Sequence, residues 1–358
     1  MSKKLTRRTF LEQVGSVAAT TLGVSALSLP AAGSLATVVN AAEMGPGEAH
    51  DRRWQAYKLR QDAAMAHSSQ PFPSFPTNGD EDAYPNKIAS YTKGLPHNER
   101  GEVDLVAYTP FLKALETGQH ADFEAIPLGG KVKFTNPLAA YAFELEGPDP
   151  HQVAMPAPPA FSSAETAGEM IELYWQALTR DVPFAEYGSH ALTNAAVADL
   201  AQCSAFRGPK INGAVTPETL FRGHTLGDLT GPSLSQFLWL DVEHGSMTLT
   251  QRNRVSIAHD DYMQSYPEWL NIQRGLLPAR VNVLDSTPRY LRNGRDVAGY
   301  VYRDYTYQAT LNACLILLAI RAPLKVENPY RRSLTQSGFI TFGPPHVLDC
   351  LARVANAA

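Results

Sequence analysis

Apolar side chains recur at helical spacing through the second half of the chain. From Ala164 to Leu178 they fall three and four residues apart, after a capping-box start at 162–165 and before Pro183, which predicts an amphipathic helix. Residues 313–320 are apolar on nearly every face, which predicts a central, buried helix. N-cap residues or N1 prolines before other periodic stretches predict further helices, which start near Thr193, Thr216, Thr230, Asp260 or Asp261, Thr287 and Tyr305. The pattern therefore predicts an all-α fold, a bundle packed around the buried helix.

The first 160 residues lack such a sustained period. Residues 67–100 are rich in Pro, Ser, Asn, Asp and Gly, which predicts an extended surface segment that wraps around the body of the protein. A second break, rich in proline, spans 147–159; between the breaks, 104–115 is predicted as a helix and 129–134 as a short turn or strand. The predicted organisation has three parts: a signal peptide over 1–42, an extended wrapping region with few helices over 43–160, and a helical region over 161–358.

Paired arginines near the N-terminus indicate export. Arg7 and Arg8 precede a weakly apolar, Ala- and Ser-rich stretch at 14–29, which is the layout of a twin-arginine signal peptide. Small residues at Ala41 and Ala42 suit cleavage there, and an amphipathic helix or membrane anchor is the alternative. We expect an exported protein, periplasmic or extracellular, with no stable membrane span after signal removal, because the apolar stretch near the C-terminus is too short and too polar to cross a bilayer.

Composition excludes several classes of protein. The chain has 358 residues, of which 44% are apolar, enough for a buried core. Only 18% are charged and the net charge is −4, so the chain lacks the basic surface that a nucleic-acid partner requires. The three cysteines are widely spaced and form no C-x-x-C, which argues against a disulfide framework or a zinc site. Cys203, Cys314 and Cys350 are predicted to be small buried hydrophobes.

Common catalytic motifs are missing from the sequence. It contains no H-E-x-x-H, G-x-S-x-G, P-loop or G-x-G-x-x-G pattern. Six histidines lie in or beside polar segments and are interpreted as solvated: His50, His67, His97, His120, His151 and His190. His224 and His346 adjoin helix starts and aromatic residues, and a structural role is favoured even for these. His259-Asp260-Asp261 is interpreted as a helix cap rather than a metal cluster, because adjacent helical residues point in different directions.

Arginine–aspartate neighbours recur along the helical region. The pairs Arg180-Asp181, Arg295-Asp296 and Arg303-Asp304 are predicted to form ion pairs with neighbouring elements. A set of aromatic residues is predicted to line the core: Tyr174, Trp175, Phe237, Trp239, Tyr262, Tyr266, Trp269, Tyr300, Tyr302, Tyr305 and Tyr307.

Six segments from residue 173 onward carry a family resemblance. In chain order they are Leu173–Phe184, Phe221-Arg222-Gly223, Gly231–Leu238, Asp261–Met263 with Trp269-Leu270, Pro288–Asp296, and Thr335–Phe339 with Phe342–His346. In these segments the chain resembles the N-terminal part of the bacterial and algal vanadium-dependent haloperoxidases, with a likeness that extends from about Gly45 to the last residue. The family shares a superfamily with type 2 phosphatidic acid phosphatases and bacterial acid phosphatases. The resemblance implies a helical bundle of that type, here incomplete.

The resemblance also implies a chemistry. Family members hold vanadate through one His, with Lys, Arg, Ser and backbone N–H groups around its oxygens, and use hydrogen peroxide to oxidise halide to hypohalous acid. These groups come from three motifs: a Lys followed by Arg-Pro, a Pro-Ser-Gly-His, and a Ser-Arg leading to the ligating His. None of the three occurs here; Gly231-Pro232-Ser233-Leu234 lacks the Gly-His and Gly343-Pro344-Pro345-His346 lacks the Ser-Gly. No catalytic, cofactor-binding or metal-binding residue is therefore carried over.

We accordingly expect an N-terminal fragment of an exported haloperoxidase, natural or from an interrupted reading frame, that is inactive alone and binds no vanadate itself. Chain position would put Arg222, His224, Phe342 and His346 at the border of the site in a complete enzyme. Relatives tend to be homo-oligomers, which implies the same here. The alternatives are a phosphatase on the same scaffold and a non-catalytic helical subunit or binding protein.

Overall fold

The computed structural model of the protein describes residues 49–71, 73–83, 92–138 and 155–357. The predicted signal peptide lies outside these residues, as does part of the predicted wrapping segment. Eleven α-helices occur in the described ranges: α1 (Ala49–Ser68), α2 (Asp80–Ala83), α3 (Leu105–Thr117), α4 (His120–Glu124), α5 (Ala164–Thr179), α6 (Ala191–Leu200), α7 (Leu226–Leu229), α8 (Tyr266–Gln273), α9 (Gly294–Arg303), α10 (Gln308–Ala319) and α11 (Pro344–Ala357). The all-α fold class is confirmed.

Short elements complete the described chain. Two 3₁₀ helices span Phe184–Glu186 and Gln236–Trp239. The strands β1 (Val242–His244) and β2 (Met247–Leu249) form an antiparallel hairpin in which Val242 pairs with Leu249. Gly245 adopts a positive φ of 65° at the turn, a conformation that glycine accepts without strain.

The chain divides into two compact units. The first contains α1, a helix that the sequence pattern did not predict because its apolar residues are spread among many charged and polar ones. Its Trp54 and Tyr57 rings stack with centroids 5.6 Å apart. The second unit contains the described residues from 75 to 138 and from 155 to 357, and all the other helices lie in it.

Helix α3 builds the first hydrophobic core of the second unit. Asp104 caps it, since its Oδ1 accepts a hydrogen bond from the Val106 N–H (2.8 Å), and Gly118 ends it with φ of 63°. The buried core residues are Leu95, Ala107, Phe111, Ala114 and Ile126. The predicted helix at 104–115 is therefore confirmed.

Helices α5 and α6 build the second core. Ser163 caps α5 by accepting a hydrogen bond from the Thr166 N–H (3.1 Å), in the region where the capping box was predicted. Its Ile171 and Trp175 pack against a buried cluster made of Ala196, Leu200, Phe206, Val215 and Leu220. The Trp175 indole N–H donates to Asp199 Oδ2 of α6 (2.8 Å), which ties the two helices together.

Four predicted helix starts are wrong. Thr230 ends α7 instead of starting a helix, and the stretch after it forms only the 3₁₀ helix Gln236–Trp239. At Thr216, the side chain of Thr219 bonds both the Thr216 N–H and its carbonyl, and this local turn replaces a helix. At Thr287 the backbone stays extended because Arg289 bridges Asn253, so α9 begins only at Gly294. The helix predicted at Asp260 or Asp261 begins at Tyr266 instead, capped by Ser265.

The burial predictions also need correction. In α10 the buried residues are Asn312 and Ile316, while Leu317 and the C-cap residue Ile320 are exposed. Within the described chain this helix is therefore not buried on all its faces, contrary to the sequence prediction. Cys203 and Cys314 are half-buried and Cys350 is exposed, so the prediction that all three are buried is wrong. Several predicted core aromatics are exposed as well: Tyr174, Trp239, Tyr266, Trp269, Tyr302, Tyr305 and Tyr307. Among the described residues, no helix combines the length and apolar character needed to cross a membrane.

Candidate functional site

The C-terminal end of α5 meets the N-terminal end of α9. The Arg295 N–H donates to the Arg180 carbonyl (2.8 Å), and Asn293 caps α9 by accepting from the Asp296 N–H (3.0 Å). A Cβ added at Gly294 would lie 3.3 Å from the Arg180 Cα, so the backbones are in close contact. This junction places Arg180, Asp181 and Arg295 side by side.

Four charged side chains form a cluster at the junction, which we call the arginine–aspartate cluster: Arg180, Asp181, Asp261 and Arg295. Arg295 binds Asp181 through two bonds, Nε to Oδ1 (2.5 Å) and Nη2 to Oδ2 (2.7 Å). The same Nη2 also reaches Asp261 Oδ1 (2.7 Å), which accepts a second ion pair from Arg180 (2.6 Å). Two cations therefore neutralise two carboxylates in a bidentate, hydrogen-bonded geometry.

The electrostatics of this cluster favour the charged forms of Asp181, Asp261 and Arg295. The hydrogen bond from Arg295 lowers the pKa of Asp181, although partial burial opposes it. The hydrogen bond from Arg180 is the largest cause that lowers the pKa of Asp261, and Arg295 adds to it. The bond to Asp181 in turn raises the pKa of Arg295 above its usual value. The carboxylates of the cluster are ionised at neutral pH.

Neighbouring pairs extend the network. Asp260 pairs with Arg280 (2.7 Å), and the backbone N–H of Val283 donates to its other oxygen, which lowers its pKa. Asp296 is fully buried and accepts a bond from Arg289 (3.1 Å). Arg289 also pairs with Asp285. The predicted ion pairing of Arg180, Asp181, Arg295 and Asp296 with neighbouring elements is thus observed.

Two cavities adjoin the junction. A cleft of about 280 Å³ is lined by the cluster's Arg180, Asp261 and Arg295. A groove of about 870 Å³ runs between α5, α9 and the segment 220–235, which includes α7. Arg222 lines this groove, but its guanidinium donates to the carbonyls of Asp228 and Gly231 and to Ser233 Oγ.

The candidate histidines lie away from both cavities. His224 Nε2 bonds the Arg207 carbonyl (2.8 Å), and His346 Nδ1 accepts from the Phe342 N–H (2.9 Å). Of the four residues expected at the border of the site, only Arg222 lines the groove. His259 lies 3.7 Å from Asp181 and is exposed.

The interpretation of His259-Asp260-Asp261 as a helix cap is wrong. Asp260 and Asp261 precede α8 by several residues and bind arginines instead. The sequence pattern singled out Asp261 but could not indicate its partners, because Arg180 and Arg295 belong to two other elements that are distant in the chain.

The residues around these cavities do not fit vanadate. In the family pattern the oxyanion needs a His ligand and uncommitted cations, yet no histidine lines either cavity described above. Arg180 and Arg295 are already paired with carboxylates, and Arg222 with carbonyls. Arg254 and Arg303, which also line the cleft, form no ion pair among the residues that the structure describes. The missing histidine ligand therefore decides the misfit. Over the described ranges, no three His, Cys, Asp or Glu side chains are grouped so as to hold a metal ion.

Comparison with known proteins gives a consistent set of relatives. The chain is 34% identical over 284 residues to a vanadium-dependent bromoperoxidase of Ascophyllum nodosum, covering 75% of this chain and 50% of that protein. It is 30% identical over 349 residues to the vanadium-dependent bromoperoxidase of Corallina officinalis, covering 79% and 58%. No family model matches the chain.

A solved structure matches the fold. The homohexameric structure of the second vanadate-dependent bromoperoxidase of Ascophyllum nodosum superposes with a TM-score of 0.79 at 27% identity, covering 92% of this chain and 56% of the other. The chain spans between half and three fifths of the length of these relatives. By sequence and by fold, this chain is therefore a homologue of the vanadium-dependent haloperoxidases over that part of their length.

Proposed function

We propose that this chain is the N-terminal scaffold of a vanadium-dependent haloperoxidase, an enzyme that uses hydrogen peroxide to oxidise halide to hypohalous acid. The observation that carries this proposal is the match to bromoperoxidases in both sequence, at 34% identity, and fold, at a TM-score of 0.79. Vanadate is the cofactor, and hydrogen peroxide and halide are the substrates of the complete enzyme.

In this proposal the chain alone is inactive. The cations at its main junction are neutralised by Asp181 and Asp261, and the three vanadate motifs do not occur in the sequence. The residues that hold vanadate would belong to the part of the enzyme that corresponds to the unmatched length of the relatives. The role of the arginine–aspartate cluster is then positional, because it joins the ends of α5 and α9.

An activity assay tests the inactivity. The purified chain is incubated with vanadate, hydrogen peroxide and bromide, and bromination of phenol red is followed. We expect no vanadate-dependent rise above the protein-free rate. Vanadate-dependent bromination would refute the claim that the site lies outside these residues, and hydrolysis of p-nitrophenyl phosphate would favour the phosphatase alternative.

A chimera tests the scaffold role. The chain is fused to the part of the Ascophyllum nodosum relative that follows the matched region, and the chimera is assayed with the same dye. We expect vanadate-dependent bromination that neither half shows alone. A chimera that unfolds cooperatively and binds vanadate but brominates nothing would favour the non-catalytic subunit.

Export and assembly are further parts of the proposal. The paired Arg7 and Arg8 support twin-arginine export to the periplasm or beyond, and R7K/R8K should retain the protein in the cytoplasm in a fractionation experiment. The hexameric neighbour supports a homo-oligomer, which light scattering on the purified chain would detect. Secretion of R7K/R8K at the wild-type level would refute the signal assignment.

A further inference from the structure

Arg254 and Arg303 lie beside the arginine–aspartate cluster but differ in their partners from the arginines of that cluster. Arg254 and Arg303 both line the 280 Å³ cleft, and both also line an adjoining cavity of about 60 Å³. Neither forms an ion pair within the described part of the chain; the hydrogen bond found for them is the one from Arg254 Nε to the Asp285 carbonyl (3.4 Å). Their charge is thus available at the point where the two cavities join.

One residue that lines the smaller cavity has a buried hydroxyl without a partner. The hydroxyl of Tyr300 is shielded from solvent and makes no hydrogen bond in the described structure, while Tyr300 lines the 60 Å³ cavity. Folding normally leaves few such groups, because a buried hydroxyl without a partner loses its bonds to water and gains none. A shift of this side chain that brings the hydroxyl to an acceptor atom held in the cavity would satisfy it.

The shape of the cavity limits the ligand to a compact group. A volume of about 60 Å³ holds only a few water molecules. Gly299 lines both cavities, and a Cβ added there would meet nothing within 4 Å, so its backbone borders open space. A compact head group can therefore occupy the small cavity while the rest of a molecule extends into the cleft.

The charge of the cavity favours an anion. Its lining contains two guanidinium groups against one carboxylate, that of Asp304. Guanidinium groups bind oxyanions best, since their parallel N–H donors match two oxygens of one group.

We propose that Arg254, Arg303 and Tyr300 form a binding site for a phosphate-like oxyanion, with the larger cleft receiving an organic group attached to it. Tyr302 and Leu284 give that cleft apolar surface. No histidine lines either cavity, so this site differs from the vanadate centre implied by the family resemblance. The proposal does not depend on haloperoxidase activity.

Calorimetric titration of the full chain at low salt tests the site, with inorganic phosphate in one arm and phenyl phosphate in the other. We expect saturable binding of one anion per chain. We expect phenyl phosphate to bind tighter, because its ring occupies the larger cleft; equal binding of the two would refute the role of that cleft. Absence of binding at millimolar concentrations of both would overturn the proposal.

Variants assign the binding to these side chains. Because a charge-assisted hydrogen bond contributes far more than a neutral one, R254Q and R303Q should each weaken binding by about tenfold or more. Y300F should weaken it several-fold, while D304N should tighten it by removing the opposing charge. The matched control is R252Q, at an exposed arginine that stacks on Tyr290 and lines neither cavity.

The R252Q control can refute the assignment of anion binding to Arg254, Arg303 and Tyr300. If R252Q weakens binding as much as R254Q and R303Q do, the anion is held by general surface charge. Thermal melts of each variant without ligand show that the fold is intact, which is expected because Arg254 and Arg303 are exposed.

Discussion

Replacing Arg295 with methionine should destabilise the folded chain by about 3 kcal/mol, the lower end of the cost of removing one partner from a buried ion pair. The side chain of Arg295 is 9% exposed and bonds both Asp181 and Asp261, whose side chains are 22% and 25% exposed. Methionine would fill the space of the stem but leave two partly buried carboxylates with only Arg180 as a cation. The partial exposure of these carboxylates is the reason for the lower value.

Urea unfolding followed by circular dichroism measures the change. R295M should lower the midpoint at unchanged m-value, as a change in stability rather than compactness does. The control is R292M: Arg292 lies 3.7 Å from Asp296 and is 55% exposed, so its loss should cost less than about 1 kcal/mol. Equal midpoints for R295M and R292M would refute the reasoning that the arginine–aspartate cluster stabilises the junction of α5 and α9.

Three further results are expected. Because Arg295 and Arg180 lower the pKa values of Asp181 and Asp261, the cluster stabilises the fold above about pH 4, and this contribution is lost as pH falls through the lowered values. The free energy of unfolding of R295M should therefore change less with pH in the acid range than that of the wild type. G130A should lower the free energy of unfolding in urea by about 2–3 kcal/mol, since its Cβ would lie 2.2 Å from the Gly275 carbonyl oxygen. The control is G188A, whose Cβ would have no atom within 4 Å, and it should change stability by less than about 0.5 kcal/mol. D104A should cost about 1 kcal/mol by removing the α3 cap, and a midpoint equal to wild type would contradict the capping role.

Local signals in the sequence predicted the helices that depend on local bonds. The serine before α5 and the aspartate before α3 each accept a hydrogen bond from a backbone N–H two or three residues later. Such bonds form within one turn, so a short stretch of sequence determines them. The all-α class follows from the same periodicity.

Predictions that depended on distant partners were wrong. Thr287-Pro288 has the composition of a helix start, but Arg289 bridges Asn253 and holds the backbone extended. The apolar run of α10 predicted burial on all sides, although burial depends on which neighbours cover each face, and Leu317 and Ile320 are exposed within the described chain.

The sequence by itself determined the helical class, the positions of α3 and α5, the family resemblance, and the expectation that Arg180, Asp181 and Arg295 form ion pairs. Only the tertiary structure decided which residues form these ion pairs. Arg295 binds Asp261 and Asp181, which lie 34 and 114 residues away along the chain. The tertiary structure also decided which arginines remain uncommitted, since Arg303 follows the same Arg-Asp pattern as Arg295 but forms no ion pair in the described structure. The physical reason is that an ion pair depends on distances of a few ångströms, which are set by helix packing rather than by neighbours in the chain.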